Sequence, residues 1–186
     1  MADDRHRPHR NVPNDEYLYV LACGVVIPLR WLDRYGWRPL SSNERQATYL
    51  FYRELGRRMN ITGIPASLDE LQEWFDAYDR EHLVPNDDAA AVERATRMLM
   101  LARVPRLLAP LGDALVSAMY DARLRMAMKV PAPAWPIRAG LHLSLKIRAR
   151  ILRHLGRPRT VPRFADGIVT KTYPDGYDIN DLGPAS

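Results

Sequence analysis

The side chains able to ligate a metal or act as a nucleophile are few: His6, His9, His82, His142, His154 and a single cysteine, Cys23. A neutral imidazole is a good ligand for haem iron, and His6 and His9 are the two histidines that precede the first helical segment. Without further context they read equally as part of a solvated basic arm. His142 and His154 stand twelve residues apart in one helical segment, on directions too divergent to share a metal from that helix. His82 falls near a helix end, where capping or solvent exposure is expected. Cys23 lies in an apolar run with no cation near it, the setting of a small buried hydrophobe rather than a reactive thiolate. There is no GxGxxG, P-loop, GxSxG or HExxH pattern, so dinucleotide, P-loop nucleotide, serine-hydrolase and zincin chemistry find no support.

A chain of 186 residues, 47% hydrophobic and 26% charged, can bury one real core. One cysteine excludes an internal disulfide framework. The opening MADDRHRPHR has no apolar h-region, so no signal peptide is expected and the chain reads as cytoplasmic. Net charge is +5 and unevenly spread: no acidic residue stands between Asp121 and Asp166, a stretch holding eleven lysines and arginines. That asymmetry implies an anionic contact.

The elements that must position these groups are helical. Residues 1–13 form a basic arm, 14–163 a helical domain and 164–186 an irregular tail. Asn14 is placed to cap a first helix carrying Asp15 and Glu16 in its opening turn. The run Tyr17–Leu32 is apolar on all sides but too short to span a bilayer, so it reads as a buried central helix, bent near Pro28. Ser41/Glu44 and Ser67/Glu70 have capping-box spacing. The helix after the first box is expected to bury Ala47, Phe51 and Leu55; the helix after the second, Leu68, Leu71, Trp74, Phe75 and Tyr78. A further helix starts at Asn86 or Asp87, with Val92, Ala95, Leu99 and Ala102 on its inner face. Two more helical pieces, 107–119 and 122–129, precede the stiff linker PAPAWP. In Ile137–Leu155, Lys146, Arg150 and Arg153, followed by Arg157, share one stripe, with Leu141, Leu145, Leu152 and Leu155 opposite. No period-2 segment of any length appears, and the fold class is all-α.

The chain resembles the MpaB/latex-clearing-protein family of haem b oxygenases. The residues that carry the likeness are Asn14-Asp15-Glu16 before YLYVL, P-L-R-W (28–31), R-Y-G-W-R-P-L (34–40), E-R-Q-A (44–47) and E-L-G-R-R-M-N-I (54–61). They continue with DAYDREHL (76–83), V-P-R-L-L (104–108), M-Y-D-A-R-L-R-M-A (119–127) and Y-P-D-G-Y-D-I-N-D-L-G-P (173–184). The resemblance implies an all-helical domain that binds haem b through a proximal histidine. It also implies dioxygen as co-substrate for cleavage of C=C bonds in an apolar isoprenoid-like molecule. His6 stands one residue from the expected position of the proximal ligand, and His9 matches less well. The family's distal residues, an Arg, Lys and Thr in one motif and a Glu before it, precede that histidine by some thirty positions. Only five residues stand before His6, so the distal half of the pocket is expected to be missing. A truncated reading frame, a partner chain that supplies the rest, and loss of catalysis all account for this.

The substrate is expected to enter between helices such as 17–34 and 88–103. The alternative is a non-catalytic helical module that binds a lipid or prenyl group. Lys146, Arg150, Arg153 and Arg157 suit a peripheral contact with an anionic membrane, or else a solvated face satisfied by the acidic helix at 69–81. Nucleic acid is not expected, since no stacking aromatics interleave with the basic run.

Overall fold

The first helix organises the rest. In the computed structural model, which describes residues 12–102 and 104–156, α1 (Asn14–Tyr35) presents Leu18, Leu21, Ala22, Val25, Val26 and Leu29 to the core. Their spacing of three and four is one face of a 3.6-residue helix. Against this face pack α2 (Ser42–Arg58), through Tyr49 and Tyr52, and α3 (Leu68–His82), through Leu71 and Phe75. Glycines permit the close approach: a Cβ on Gly24 would stand 2.6 Å from the Tyr52 ring, and one on Gly56 would stand 2.6 Å from Leu21. The chain continues through α4 (Asp87–Leu101), α5 (Ala109–Met119), α6 (Ala122–Ala127) and α7 (Trp135–Leu155), with α4 on α5 and α5 on α7. No strand occurs among the described residues, and the all-α class holds.

Several expectations hold locally. Ser41 and Glu44 form a complete capping box, and Ser67 accepts from the Glu70 amide. Asn86 caps α4 by accepting from the Asp88 and Ala89 amides. Others are corrected. Asn14 does not cap α1, whose N-cap position is Pro13. Its side chain instead donates to the Thr62 carbonyl and accepts from the Thr62 amide, each at 2.9 Å, tying the start of α1 to the loop after α2. Pro28 does sit inside α1, on an exposed face where a lost backbone bond costs least. Nor is α1 enclosed on all sides: Tyr17, Val20, Ile27 and Leu32 are exposed.

The stripes assigned to α2 and α4 face the other way. Phe51 is 64% exposed, and α2 buries Tyr49 and Gly56 instead. In α4, Val92 and Leu99 are exposed, while Ala90, Glu93 and Arg97 face inward. A charge network decides that rotation. Arg97 reaches Glu93 at 3.2 Å and Asp113 of α5 at 2.9 Å, and Tyr120 donates to Glu93 at 3.3 Å. A buried carboxylate with this many partners is satisfied and outweighs an apolar line. On α7, Leu141 and Leu145 are half-buried, but Leu155 is 78% exposed. The tail at 164–186 and the arm through Asn11 lie outside the described residues.

If α1 is the spine of the core, Val25→Asp, which places an unpaired carboxylate at a fully buried site, loses several kcal/mol. Val20→Asp on the open face of the same helix changes stability by less than about 0.5 kcal/mol. Chemical denaturation of the two variants checks this, and equal losses would refute the placement.

Candidate functional site

The principal cavity lies on the far side of α1, between α1, α3, α5, α6 and α7, with a volume of about 690 Å³. That is within the range of small-molecule sites. Its apolar lining includes Ile27, Trp31, Leu83, Met119, Leu124 and Leu141. α4 does not line it; besides α1, α3, α5 and α6, α7 bounds it.

Polar groups converge on its two sides. On the α3 side, Tyr19 donates to Asp79 at 2.6 Å and stacks on Phe75 and Tyr78 with centroids at 5.3 and 4.8 Å. Burial, then the bond to Asp79, pushes the Tyr19 phenol well above its ordinary range, so it stays a donor. Burial likewise raises the Cys23 thiol, consistent with an inert buried cysteine. Next to these, Arg30 grips Asp76 with both nitrogens at 2.8 Å and holds that carboxyl below the usual carboxylate range.

On the α7 side, the Tyr35 hydroxyl is hydrogen-bonded to His142 Nδ1 and the two rings stack at 5.7 Å. Burial, then the charges of Arg34, Arg138 and Lys146, lower the His142 pKa. Arg34 and Arg138 line the cavity beside it, and the Arg34 guanidinium sits 5.3 Å from the Tyr35 ring centre. Sequence reasoning missed the Tyr35–His142 and Tyr19–Asp79 pairs. Each joins residues far apart in the chain, and only R-Y-G-W-R-P-L and DAYDREHL marked their neighbourhoods.

The histidines singled out from sequence are not brought together. His82 stacks on Tyr78 with Nδ1 3.2 Å from the Tyr78 carbonyl oxygen, one helical turn back, and His154 is exposed at the end of α7. His6 and His9 lie outside the described residues, and no metal-holding group of three or more His, Cys, Asp or Glu occurs among the described ones. An iron porphyrin needs an axial lone pair. The Tyr35–His142 bond fits either tautomer, and where Nδ1–H donates to the Tyr35 hydroxyl, Nε2 keeps its lone pair. Cys23 is held protonated. Among the described residues, His142 is the histidine that lines the cavity.

This all-helical shell around an apolar cavity is matched by the model of a family described as "ER-bound oxygenase mpaB/B′/Rubber oxygenase, catalytic domain", over residues 1–156. The chain belongs to that family of oxygenase catalytic domains. It is 31% identical over 178 residues to ER-bound oxygenase mpaB′ of Penicillium brevicompactum, an alignment covering 88% of this chain and 41% of that protein. With ER-bound oxygenase mpaB of Penicillium roqueforti it shares 32% identity over 126 residues, or 61% of this chain and 42% of that one. With ER-bound oxygenase mpaB of Penicillium brevicompactum the identity is 27% over 176 residues, covering 88% and 38%. The chain thus spans about two fifths of the length of these curated relatives. No solved structure matches. No helix among the described residues is long and apolar enough to cross a membrane.

Because Arg34 and Arg138 both act on His142, its imidazole titrates below a free histidine, and Arg34→Gln or Arg138→Gln moves the midpoint upward. Following the His142 ring resonances against pH by NMR checks this; a midpoint at or above the free-histidine value would contradict the geometry.

Proposed function

We propose that this chain is the catalytic-domain part of a haem b-dependent oxygenase that cleaves C=C bonds of an apolar, isoprenoid-type substrate with dioxygen. The observation that carries the reading is a cavity of substrate size, with Ile27, Trp31, Met119, Leu124 and Leu141 on its walls, in a member of an oxygenase family. Haem, when bound, supplies the iron that activates dioxygen. His6 is the proposed axial ligand, on an arm of residues 1–13 ahead of a helical domain at 14–163 and a tail at 164–186. The chain's own residues shape the site: Ile27, Trp31 and Leu141 give it an apolar wall, while Tyr19 and His142 are fixed by Asp79 and Tyr35. Reconstitution with haem tests the reading. A Soret band is expected, lost in His6→Ala and kept in His154→Ala; no band in the wild type, or the reverse pattern in the variants, would refute it. In that event the cavity fits the alternative, a helical module that binds a lipid or prenyl group without catalysis.

A second reading concerns where the domain works. Lys146, Arg150 and Arg153 are exposed and form no ion pair among the described residues. The acidic helix that could have neutralised them spends Asp76 on Arg30 and Asp79 on Tyr19. Beside the stripe, Leu143, Ile147 and Ile151 are exposed at four-residue spacing, with Arg148 on their other flank. An apolar line bordered by cations suits an anionic membrane surface, and the relatives are named ER-bound. We read the protein as cytoplasmic with a peripheral membrane contact through these residues and Arg157, which lies outside the described ones. Each cation contributes about 1 kcal/mol. Sedimentation with phosphatidylserine vesicles should be strong at low salt and weak above roughly 0.5 M. Replacing all four cations with glutamine should abolish it, and equal pelleting of the two proteins, or none by either, would refute the contact.

A further inference from the structure

The two sides of the cavity differ in how their charges are spent. Four guanidiniums reach the cavity: Arg30, Arg34, Arg125 and Arg138. Arg30 is occupied by Asp76 in a two-point grip, and Arg125 donates to the Tyr120 carbonyl. The carboxylates of the lining are occupied as well. Asp79 accepts from Tyr19, and Asp121 accepts from the Leu124 amide as the cap of α6. Arg34 and Arg138 are left over: neither guanidinium has an ion pair or a side-chain hydrogen bond to any described residue. Both stand at the α7 side of the cavity, next to the Tyr35–His142 pair.

Two planar, fork-shaped cations beside an otherwise apolar wall are a recognition element for a carboxylate or phosphate. Arg34 lies over the Tyr35 ring in the last turn of α1, but neither guanidinium has a carboxylate partner among the described residues. A wholly apolar substrate would gain nothing from them. The effect on His142 is consistent with this placement, since both guanidiniums act on the same imidazole. Trp31 and Leu141, which continue the wall from this mouth, offer the surface an apolar chain would cover.

We propose that the cavity takes an amphiphile with an apolar chain and an oxyanion head, the chain against Ile27, Trp31 and Leu141 and the head held between Arg34 and Arg138. The inference rests on reading this cavity as the substrate site and adds the chemical class of the substrate's polar end. The head is a carboxylate or a phosphate ester; the two share the chemistry, and binding measurements separate them.

The test is calorimetric titration of the full chain, without haem or dioxygen, using oleate, oleyl alcohol, oleyl phosphate and inorganic phosphate below their aggregation thresholds. Failure of the oxygenase chemistry therefore leaves this result unaffected, and the converse also holds. Oleate or oleyl phosphate should bind at least about tenfold more tightly than oleyl alcohol, as expected for charge-assisted hydrogen bonds. Whichever of the two is tighter identifies the head. The Arg34→Gln/Arg138→Gln double variant, two changes at exposed positions, should lose that ratio while binding the alcohol unchanged. Acid, ester and alcohol binding equally, a ratio that survives in the double variant, inorganic phosphate binding as well as its ester, or no binding by any probe would each overturn the proposal.

Discussion

Leu18, Leu21, Ala22, Val25, Val26 and Leu29 all lie on one face of α1 and are almost completely removed from water. Each fully buried valine or leucine side chain contributes about 1.5–3 kcal/mol. No other helix among the described residues buries as many apolar side chains, and α7 buries none completely. The positions of α2 and α3 follow from this face: Tyr49 seals it from one side, with its hydroxyl donating to the Pro65 carbonyl at 2.6 Å, and Phe75 from the other. The cavity is a consequence of the same arrangement. With one face of α1 committed to the core, Ile27, Trp31 and Arg34 turn toward α7, and the space between is roofed by α5 and α6 rather than filled.

Much of the scaffold was legible in the sequence because its signals are local. The capping box at Ser41, the caps at Ser67 and Asn86 and the apolar run of α1 each depend on residues within a few positions. The aromatic line Leu71–Phe75 is a strong single-face pattern and packs as expected. Legibility failed where a helix carries two candidate faces. In α2, Phe51 and Leu55 compete with Tyr49 and Gly56, and only contact with Leu21 and Ile64 at Gly56 decides between them. In α4 the winning face contains Glu93 and Arg97, which no hydrophobic pattern selects; Asp113 and Tyr120 make them acceptable inside. Asn14 was misread for a similar reason, since its partner Thr62 is 48 residues away. The pairs that build the cavity, Tyr19 with Asp79 and Tyr35 with His142, span 60 and 107 residues. The resemblance located their segments without pairing them.

Charge is distributed with the same economy. In α3, Asp76 is paired with Arg30 and Asp79 accepts from Tyr19, while Glu93 and Asp113 hold Arg97 and Asp87 holds Lys129. Apart from Lys129, the late basic segment has no ion pair among the described residues, and the cations of α7 divide between two settings. Arg138 joins Arg34 at the cavity, while Lys146, Arg150 and Arg153 stand on the outer surface of the same helix. α7 is thereby both a wall of the proposed substrate site and the proposed contact with the membrane from which an apolar substrate would come.

The central claim is that this cavity serves oxygen chemistry on an isoprenoid chain, and isotope incorporation addresses it most directly. The haem-reconstituted chain is supplied with a polyisoprene oligomer under ¹⁸O₂, and the products are analysed by mass spectrometry. The account predicts shortened chains whose new carbonyl ends carry the label, absent when haem or dioxygen is withheld. Intact oligomer under the same conditions, or cleavage products whose new carbonyl ends carry no ¹⁸O, would contradict it.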